Sequence, residues 1–494
     1  MSKIHVVQVT ITNNTDSVFE YVNDWFDSGR VADGNSWPKK INPGQTVGIT
    51  CYEKDWSMAG CSGWAQYKTN GAPVFFAFSN PTAGSNGIDI GNSTSVWDHM
   101  SGHYGAGIKK AVRLQNESSW LLADIKSCGG DINQAVYGLK SCNIDVVTPA
   151  NIVINDVERT FNSVSSNGSR VYYKCDDAPT YITGVAESHF KGVAAFNDKL
   201  IFSHTNLDPV ASTEYGKYML ADKIIYGDQS TINNTFETAH KGWHHPGGEQ
   251  ACGSFLAMGI QETADGGKDS EIQIYDIRKT QVNQPMQLIG NIKRNTGING
   301  VAMTKEIGPD GKYIVAGING NQLTIYKSQS ANLLGDGAST DFDEVCQLSL
   351  DISGAGLALA TQKDGSIYMF AFDADDAGTY NKMYLYKLNI NDADKSVNRL
   401  GVRDMTIPGM SDSITNLQYY IAAIMIFSPI IGAALTVLLA KGTGYLNSSF
   451  RWGKGMAITS ADNIEVYATD RNVLPLSRIP LIGSDKDFSV VKWR

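Results

Sequence analysis

Histidine and glutamate side chains are concentrated in one short stretch of the sequence. His240, His244, His245 and Glu249 all fall within ten residues. Imidazole nitrogens and carboxylate oxygens bind divalent metals, so a metal site is one interpretation of this spacing. The interpretation that we favour is structural: these side chains cap strand ends and hydrogen-bond across neighbouring strands. We therefore predict no metal and no cofactor.

Two of these side chains occupy related positions in an internal repeat. His189 and His245 each stand three residues before a repeated glycine. Equivalent positions of a repeat face a common axis, so both histidines are expected near one end of a central channel, together with Glu249. Arg451 lies beside the corresponding position of the last repeat and is placed in the same group. A hydrolase or lyase that uses the channel histidines is one hypothesis for function.

Motifs of the common enzyme families are absent from the sequence. There is no G-x-S-x-G, no H-E-x-x-H, no P-loop and no strict G-x-G-x-x-G after a strand. Asp373, Asp375 and Asp376 do not have the spacing of a calcium loop, and we predict a solvated turn there. The sequence thus favours a protein that is not an enzyme.

Tryptophans are concentrated near the N-terminus, where residues 1–114 contain five of the nine. Strand-like alternation between turn signals in this region predicts a β-sandwich. Most of the aromatic rings are expected in the core, because they bury large apolar areas wherever they occur. The excess over the rest of the chain indicates a surface that contacts a membrane interface or stacks on sugars.

The order of motifs in this region resembles the small cytolysin-like β-sandwiches of the aegerolysin and actinoporin type. The resemblance is carried by VQVTITNNTDSVF, INPGQTVGITCYE, AGCSGWAQYK and VFFAFSNPTAGSNGIDIG. It implies lipid binding, often alongside a larger partner that makes a pore, and hence a toxin-like role. The residues that it implies for ligand binding are Trp25, Trp56, Phe78, Asn80, Pro81, Asn86 and Trp97.

Five glycine-led repeats follow in the C-terminal part of the chain. Their aligned glycines are Gly192, Gly248, Gly300, Gly356 and Gly455. The first three spacings, of 52 to 56 residues, each fit one four-stranded blade, and the longer last spacing indicates an insertion. The C-terminal DFSVVKWR is expected to pair with an early strand near residues 170–173, which would close the ring and remove its free edges.

The predicted fold is therefore mainly β. It comprises an N-terminal β-sandwich (1–114), a connecting segment (115–171) and a five- or six-bladed β-propeller (172–494) with an apolar helical insertion (405–447) before the last blade. Within the connecting segment, LLADIKSCGGDINQAVYGLK is expected to hold a helix. The H-P-G-G-x-Q, D-G-K-Y and F-R-W-G-x-G motifs also resemble those of secreted or surface β-propellers, which implies a fold and no activity.

The insertion contains 28 residues without a charge, between Asp412 and Lys441. Its length and apolarity are typical of a transmembrane helix, but a single span would separate the last repeat from the others. Pro429 and Gly432 interrupt the run, which favours a helical hairpin or a bent helix that projects from one face.

This insertion is expected to dock on a membrane or on a partner. An uncovered apolar surface of this length promotes aggregation, so a homo-oligomer or a partner subunit is predicted. The side chains assigned to the contact are Tyr419, Tyr420, Ile424, Phe427, Pro429 and Leu435.

Charge and the N-terminal sequence restrict partners and location. A net charge of −9 opposes nucleic-acid binding, which depends on clustered cations. The N-terminus lacks a secretory signal, so we expect a protein that is cytoplasmic or released by a non-classical route, peripheral to a membrane. The seven cysteines are expected as mainly buried thiols, with disulfides Cys51–Cys61 and Cys128–Cys142 as the alternative.

Three functions remain. The first is non-catalytic recognition of a membrane lipid or glycan by the β-sandwich, with the propeller as scaffold. The second is self-assembly into a structural oligomer or filament, and the third is the propeller enzyme.

Overall fold

The computed structural model describes residues 5–54, 59–98, 100, 107–114, 119–143, 152–176, 189–205, 215–224, 230–262, 269–335, 337–354, 356–375, 380–409, 448–473 and 486–494. It is mainly β, as the sequence predicts. The chain divides into two compact units, Met1–Asp145 with Ile224–Asp228, and Val146–Lys223 with Gln229–Arg494.

Strands are the main elements of the first unit. Its described elements are β1 (Val6–Asn14), β2 (Phe19–Ser28), β3 (Arg30–Val31), β4 (Lys40–Ile41), β5 (Thr46–Tyr52), β6 (Cys61–Thr69), β7 (Ala72–Asn80), β8 (Gly87–Gly91), a 3₁₀ helix (Thr94–Val96), β9 (Gly107–Arg113), β10 (Ser119–Lys126) and β11 (Ile132–Asn143).

Two sheets enclose one core in this unit. Their strand orders are β3-β5-β1-β11-β10-β9 and β4-β2-β6-β7-β8. Alternate residues of each strand point inward, so that Ile11, Phe76 and Tyr137 are fully buried in a shared apolar cluster. The Tyr137 hydroxyl donates a hydrogen bond to the Ala77 carbonyl at 2.5 Å, which links the two sheets. This arrangement fits the expected β-sandwich.

The prediction of a helix in LLADIKSCGGDINQAVYGLK is wrong. These residues form β10 and β11, and β11 pairs in parallel with β1 from Val6–Ile132 to Asn14–Lys140. The physical signal is a period of two: Ala135, Tyr137 and Leu139 are buried while the residues between them are not. The first unit therefore continues past residue 114 to Asp145.

The second unit is also built from strands. Its described elements are β12 (Val153–Ile154), α1 (Val157–Ser163), β13 (Ser169–Cys175), β14 (Phe190–Phe196), β15 (Lys199–His204), β16 (Lys217–Asp222), β17 (Ser230–Ile232), β18 (Thr235–Glu237), β19 (His245–Cys252), β20 (Phe255–Gln261), β21 (Ser270–Asp276), β22 (Gln287–Arg294), β23 (Gly300–Lys305), β24 (Tyr313–Asn319), β25 (Gln322–Ser328), β26 (Phe342–Ser349), β27 (Gly356–Gln362), β28 (Ile367–Ala374), β29 (Asn381–Asn389), β30 (Ser396–Asp404), β31 (Ser449–Ser460), β32 (Asn463–Thr469) and β33 (Phe488–Trp493).

Each aligned glycine of the sequence repeat lies in the first strand of an antiparallel run. These first strands are β14, β19, β23, β27 and β31. They contact one another in cyclic order, from β14 through β19, β23, β27 and β31 back to β14. The glycines permit this close approach: an added Cβ would lie 1.9 Å from a Glu249 oxygen at Gly192 and 1.9 Å from the Val193 carbonyl oxygen at Gly455.

A glutamine side chain ties three of the first strands together. The Gln250 carbonyl oxygen on β19 accepts backbone N–H bonds from Met303 at 2.9 Å and Leu359 at 2.7 Å, and its amide donates to the Leu359 carbonyl at 2.9 Å. Gln250 is 2% exposed, so these hydrogen bonds are shielded from water.

The expected pairing of the C-terminal strand is confirmed. β33 pairs antiparallel with β13, from Ser169–Lys492 to Tyr173–Phe488, and also with β32. The last described strand of the chain thus joins β13 to the last repeat. A propeller itself stays a prediction.

Several predicted features lie outside the described residues. These are residues 410–447 of the apolar insertion, with Tyr419, Tyr420, Ile424, Phe427, Pro429 and Leu435, and also Trp56 and Asp376. In the part of the chain that the structure describes, no helix has the length and apolarity needed to cross a membrane.

Candidate functional site

Three tryptophans form a cluster at the surface of the first unit. The Trp25 and Trp64 rings stack with their centroids 6.1 Å apart, and Trp97 meets Trp25 edge-to-face at 4.9 Å. Trp25 is 40% exposed, while Trp64 and Trp97 are half-buried. We call Trp25, Trp64 and Trp97 the tryptophan surface.

Strand register places two of these indoles on the outer face of the sheet. Trp25 of β2 pairs with Trp64 of β6, and the neighbours Ala65 and Tyr67 point into the sandwich core. Residues of one strand alternate between faces, so Trp64 must point outward. The β2 strand bulges on both sides of this pair, which increases its local twist.

The 3₁₀ helix supplies the third indole. Val96 and Met100 are buried against Phe75 and Ala77 on the outer face of β7, and this packing fixes the short segment that carries Trp97. The aromatic cluster therefore rests on two paired strands and an anchored turn rather than on a free loop.

Charges on the outer face are balanced or acidic. The carboxylate of Glu20 lies 3.1 Å from the Lys40 ammonium and 3.5 Å from that of Lys68, and Lys40 lowers the pKa of Glu20. Asp27 on β2 and Asp98 beside Trp97 are exposed. No excess of cations accompanies the tryptophan surface among the described residues of this face.

Three of the residues assigned to ligand binding are interior structural residues. Phe78 is fully buried in the core. The Asn80 amide donates to the carbonyls of Val6 and Asp131, each at 2.9 Å. The Asn86 amide donates to two further carbonyls of the segment after β10. These side chains cannot touch a ligand unless the sandwich opens.

The remaining assigned residues of the first unit differ in their placement. Pro81 is half-buried directly after β7. Trp25 and Trp97 lie together at the surface, as their assignment requires. Trp64 was missed by the sequence reasoning, although W-A-Q-Y-K places it in alternation with Gln66 and Lys68 on the polar face, and that was the available signal.

A second group of predicted residues meets in the second unit. The His189 and His245 rings are 5.3 Å apart, and His189 is 5.7 Å from the Trp452 ring. The Arg451 guanidinium lies over Trp452 at 4.8 Å from its centroid. The structure thus brings His189, His245 and Arg451 to one region, while their channel role stays a prediction.

Glu249 is buried and bonded to a serine. The Ser203 backbone N–H donates to one carboxyl oxygen at 3.0 Å, and the Ser203 hydroxyl shares a hydrogen bond with the other. Burial raises the pKa of Glu249 to about 8, although both bonds to Ser203 oppose that shift. The carboxyl group is therefore mostly protonated at pH 7.

The described histidines and cysteines were considered above as possible metal ligands and disulfide partners. No group of three or more His, Cys, Asp or Glu side chains there is arranged to hold a metal. His240 instead stacks on Trp243 with ring centroids 3.8 Å apart. Cys51 and Cys61 are buried free thiols rather than a disulfide, and burial raises the pKa of both. Cys128 is also a free thiol.

Comparisons with known proteins give structural similarities only. No family model and no curated protein matches the chain. The lipid binding protein Nakanori is similar to 29% of this chain over 73% of its own length, at 14% identity and a TM-score of 0.23. The RahU protein, in complex with a TRIS molecule, is similar to 29% of this chain over 98% of its own length, at 10% identity and a TM-score of 0.20.

One further similar structure extends over more of the chain. A triple mutant of AofleA from Arthrobotrys oligospora, in which three arginines are replaced by alanine, is similar to 81% of this chain over 89% of its own length. The identity is 7% and the TM-score is 0.25. TM-scores this low carry no argument about function. What this chain does must therefore be inferred from its own residues.

Proposed function

We propose that this protein is a non-catalytic recognition protein whose tryptophan surface binds the interface of an uncharged or zwitterionic lipid membrane. The observation that supports this most directly is the clustering of Trp25, Trp64 and Trp97 with Trp25 left 40% exposed. Indole rings combine a large apolar face with one polar N–H, and they are therefore enriched where membrane meets water.

The surroundings of the cluster favour this kind of lipid. Val22, on the same strand as Trp25, is 46% exposed and adds apolar surface. Binding to anionic lipids depends on unpaired Lys and Arg, whereas Lys40 and Lys68 are both paired with Glu20. A neutral glycan that stacks on Trp25 is the alternative ligand, because sugars also dock on exposed aromatic faces.

We further propose that the second unit is a five-bladed β-propeller that acts as a scaffold. Its support is the cyclic contact of the first strands β14, β19, β23, β27 and β31 and the pairing of β33 with β13. Closed rings of strands remove free sheet edges and so give a rigid body.

Vesicle co-flotation tests the lipid proposal. Purified protein is mixed with phosphatidylcholine vesicles, with and without phosphatidylserine, and the bound fraction is measured for the native chain and for Trp25→Ala. We expect binding that does not increase with phosphatidylserine and that falls at least fivefold in the variant.

A matched control separates a specific surface from general apolarity. Leu400 on β30 is 44% exposed, similar to Trp25, and belongs to the other unit. Leu400→Ala is expected to float like the native chain. Binding that Leu400→Ala reduces as much as Trp25→Ala, or no binding to any vesicle, contradicts the lipid proposal. Trp25-dependent retention on immobilised neutral glycans, without vesicle binding, would assign the same surface to a sugar.

A further inference from the structure

Two half-buried lysines lie on adjacent first strands of the second unit, without an ion pair among the described residues. β14 and β31 meet in parallel at Gly192 and Lys454, which places Lys191 beside the meeting point. The stem of Lys454 lies against Gly356, where an added Cβ would be 2.4 Å from the lysine Cγ. Within the described residues, neither ammonium forms a salt bridge or a hydrogen bond.

The charge of Lys454 disfavours the charged form of Lys191. Burial and then the Lys454 charge lower the pKa of Lys191 to about 7. Burial lowers the pKa of Lys454 to about 8, with Arg451 acting in the same direction and Asp373 opposing it. Like charges held close together are unfavourable unless a negative charge joins them.

A buried histidine beside them has unused hydrogen-bonding capacity. His245 is 1% exposed, and neither of its ring nitrogens has a hydrogen-bond partner. Buried polar groups are nearly always bonded to protein, water or ligand, because an unpaired one costs free energy. The Lys191 charge acts on His245, so the imidazole and this ammonium occupy the same region.

Two arginines and two acidic side chains lie in the wall of this region. Arg451 lies over the Trp452 ring at 4.8 Å, and the Arg471 guanidinium lies 5.3 Å from the same ring. Glu249 contributes little negative charge at neutral pH, because burial raises its pKa to about 8. Burial also raises the pKa of Asp373.

We propose that Lys191, Lys454 and His245 bind a small oxyanion of the sulfate or phosphate type where the first residues of β14 and β19 meet the middle of β31. An oxyanion offsets both ammonium charges and accepts a hydrogen bond from the imidazole, which a metal cation or a neutral sugar does not do. The titratable and charged groups at this site are Lys191, Lys454, His189, His244, His245, Glu249, Asp373, Arg451 and Arg471. This inference is independent of the tryptophan surface.

Calorimetric titration of the full chain with sodium sulfate, at constant ionic strength with sodium chloride, tests the proposal. Sulfate remains a dianion across the pH range used, so any proton change belongs to the protein. At pH 7.5 binding is expected to take up protons, because the anion favours the charged lysines; titration in two buffers of different ionisation enthalpy measures this. Affinity is expected to fall at least tenfold from pH 6.5 to pH 9.5.

Variants locate the site. Lys191→Met and Lys454→Met, which keep the apolar stem, are each expected to weaken sulfate binding at least tenfold. Lys293→Met removes an exposed lysine of β22 and is expected to change the affinity less than twofold. N-acetylglucosamine 6-sulfate distinguishes a free anion from an anionic group on a larger ligand, because tighter binding of the sugar indicates the latter.

The proposal fails if titration of the native chain with sulfate gives no heat of binding beyond that of the chloride control. It also fails if sulfate binds without proton uptake at pH 7.5. It also fails if folded Lys191→Met binds sulfate as the native chain does. Circular dichroism of each variant establishes that it is folded, and the proton measurement on the native chain does not depend on any variant.

Discussion

At the scale of single residues, Glu249 shows how burial changes the behaviour of an ordinary side chain. Its carboxyl contacts Gly192 across two first strands and is bonded to Ser203. The folded-state pKa, about 8, lies above the ordinary 4.5, so the folded protein keeps a proton that the unfolded chain releases. The contribution of this group to stability therefore falls as the pH rises from about 4.5 to about 8.

Glu249→Gln is expected to remove that pH dependence. Glutamine keeps an oxygen for the Ser203 N–H and an N–H for the Ser203 hydroxyl, and it cannot ionise. Relative to the native chain, the free energy of unfolding should be nearly unchanged at pH 5 and higher by roughly 2–5 kcal/mol at pH 8.5, from about 1.4 kcal/mol per pKa unit. Urea unfolding at both pH values measures it, with exposed Glu262→Gln as control. Parallel pH profiles for native chain and variant would refute this account.

At the scale of elements, β33 is the strand whose loss should matter most. It inserts between β13 and β32, and Phe488, Val491 and Trp493 are fully buried. The Trp493 indole N–H also donates to the Thr406 carbonyl at 3.0 Å. β33 thus provides backbone hydrogen-bond partners for both β13 and β32, although β13 lies far earlier in the sequence.

Trp493→Ala is expected to lower the free energy of unfolding by about 3–5 kcal/mol, because a large buried ring leaves a cavity. Trp25 is 40% exposed, so Trp25→Ala removes the same kind of ring from the surface. This variant should lower the free energy of unfolding by about 1 kcal/mol or less. Calorimetric unfolding compares the two. Similar losses in both variants would mean that β33 does not stabilise the second unit as its burial implies.

At the scale of the whole molecule, periodicity predicted the strands well where turns were clear. The aligned glycines and the alternation in DFSVVKWR indicated the first strands and the pairing of β33 with β13, because both features follow from local sterics. The alternation of Ala135, Tyr137 and Leu139 was mistaken for helix, since a short apolar run without flanking context fits either period.

The candidate sites were less predictable, because they depend on register and depth. The resemblance of the N-terminal motifs implied Trp25 and Trp97, but Trp64 joins them only through the pairing of β2 with β6. Lys191 and Lys454 look like solvated lysines in the sequence. Only the parallel contact between β14 and β31 places their charges together.

Quenching of tryptophan fluorescence by bromine-labelled phosphatidylcholine tests the lipid-recognition proposal most directly. Bromine quenches only indoles that enter the membrane interface, and Trp25→Phe identifies the share of Trp25 by difference. We predict strong quenching in the native chain that drops by at least half in Trp25→Phe, although that variant still floats with vesicles. Quenching that is absent, or equal in both proteins, would contradict membrane recognition by the tryptophan surface.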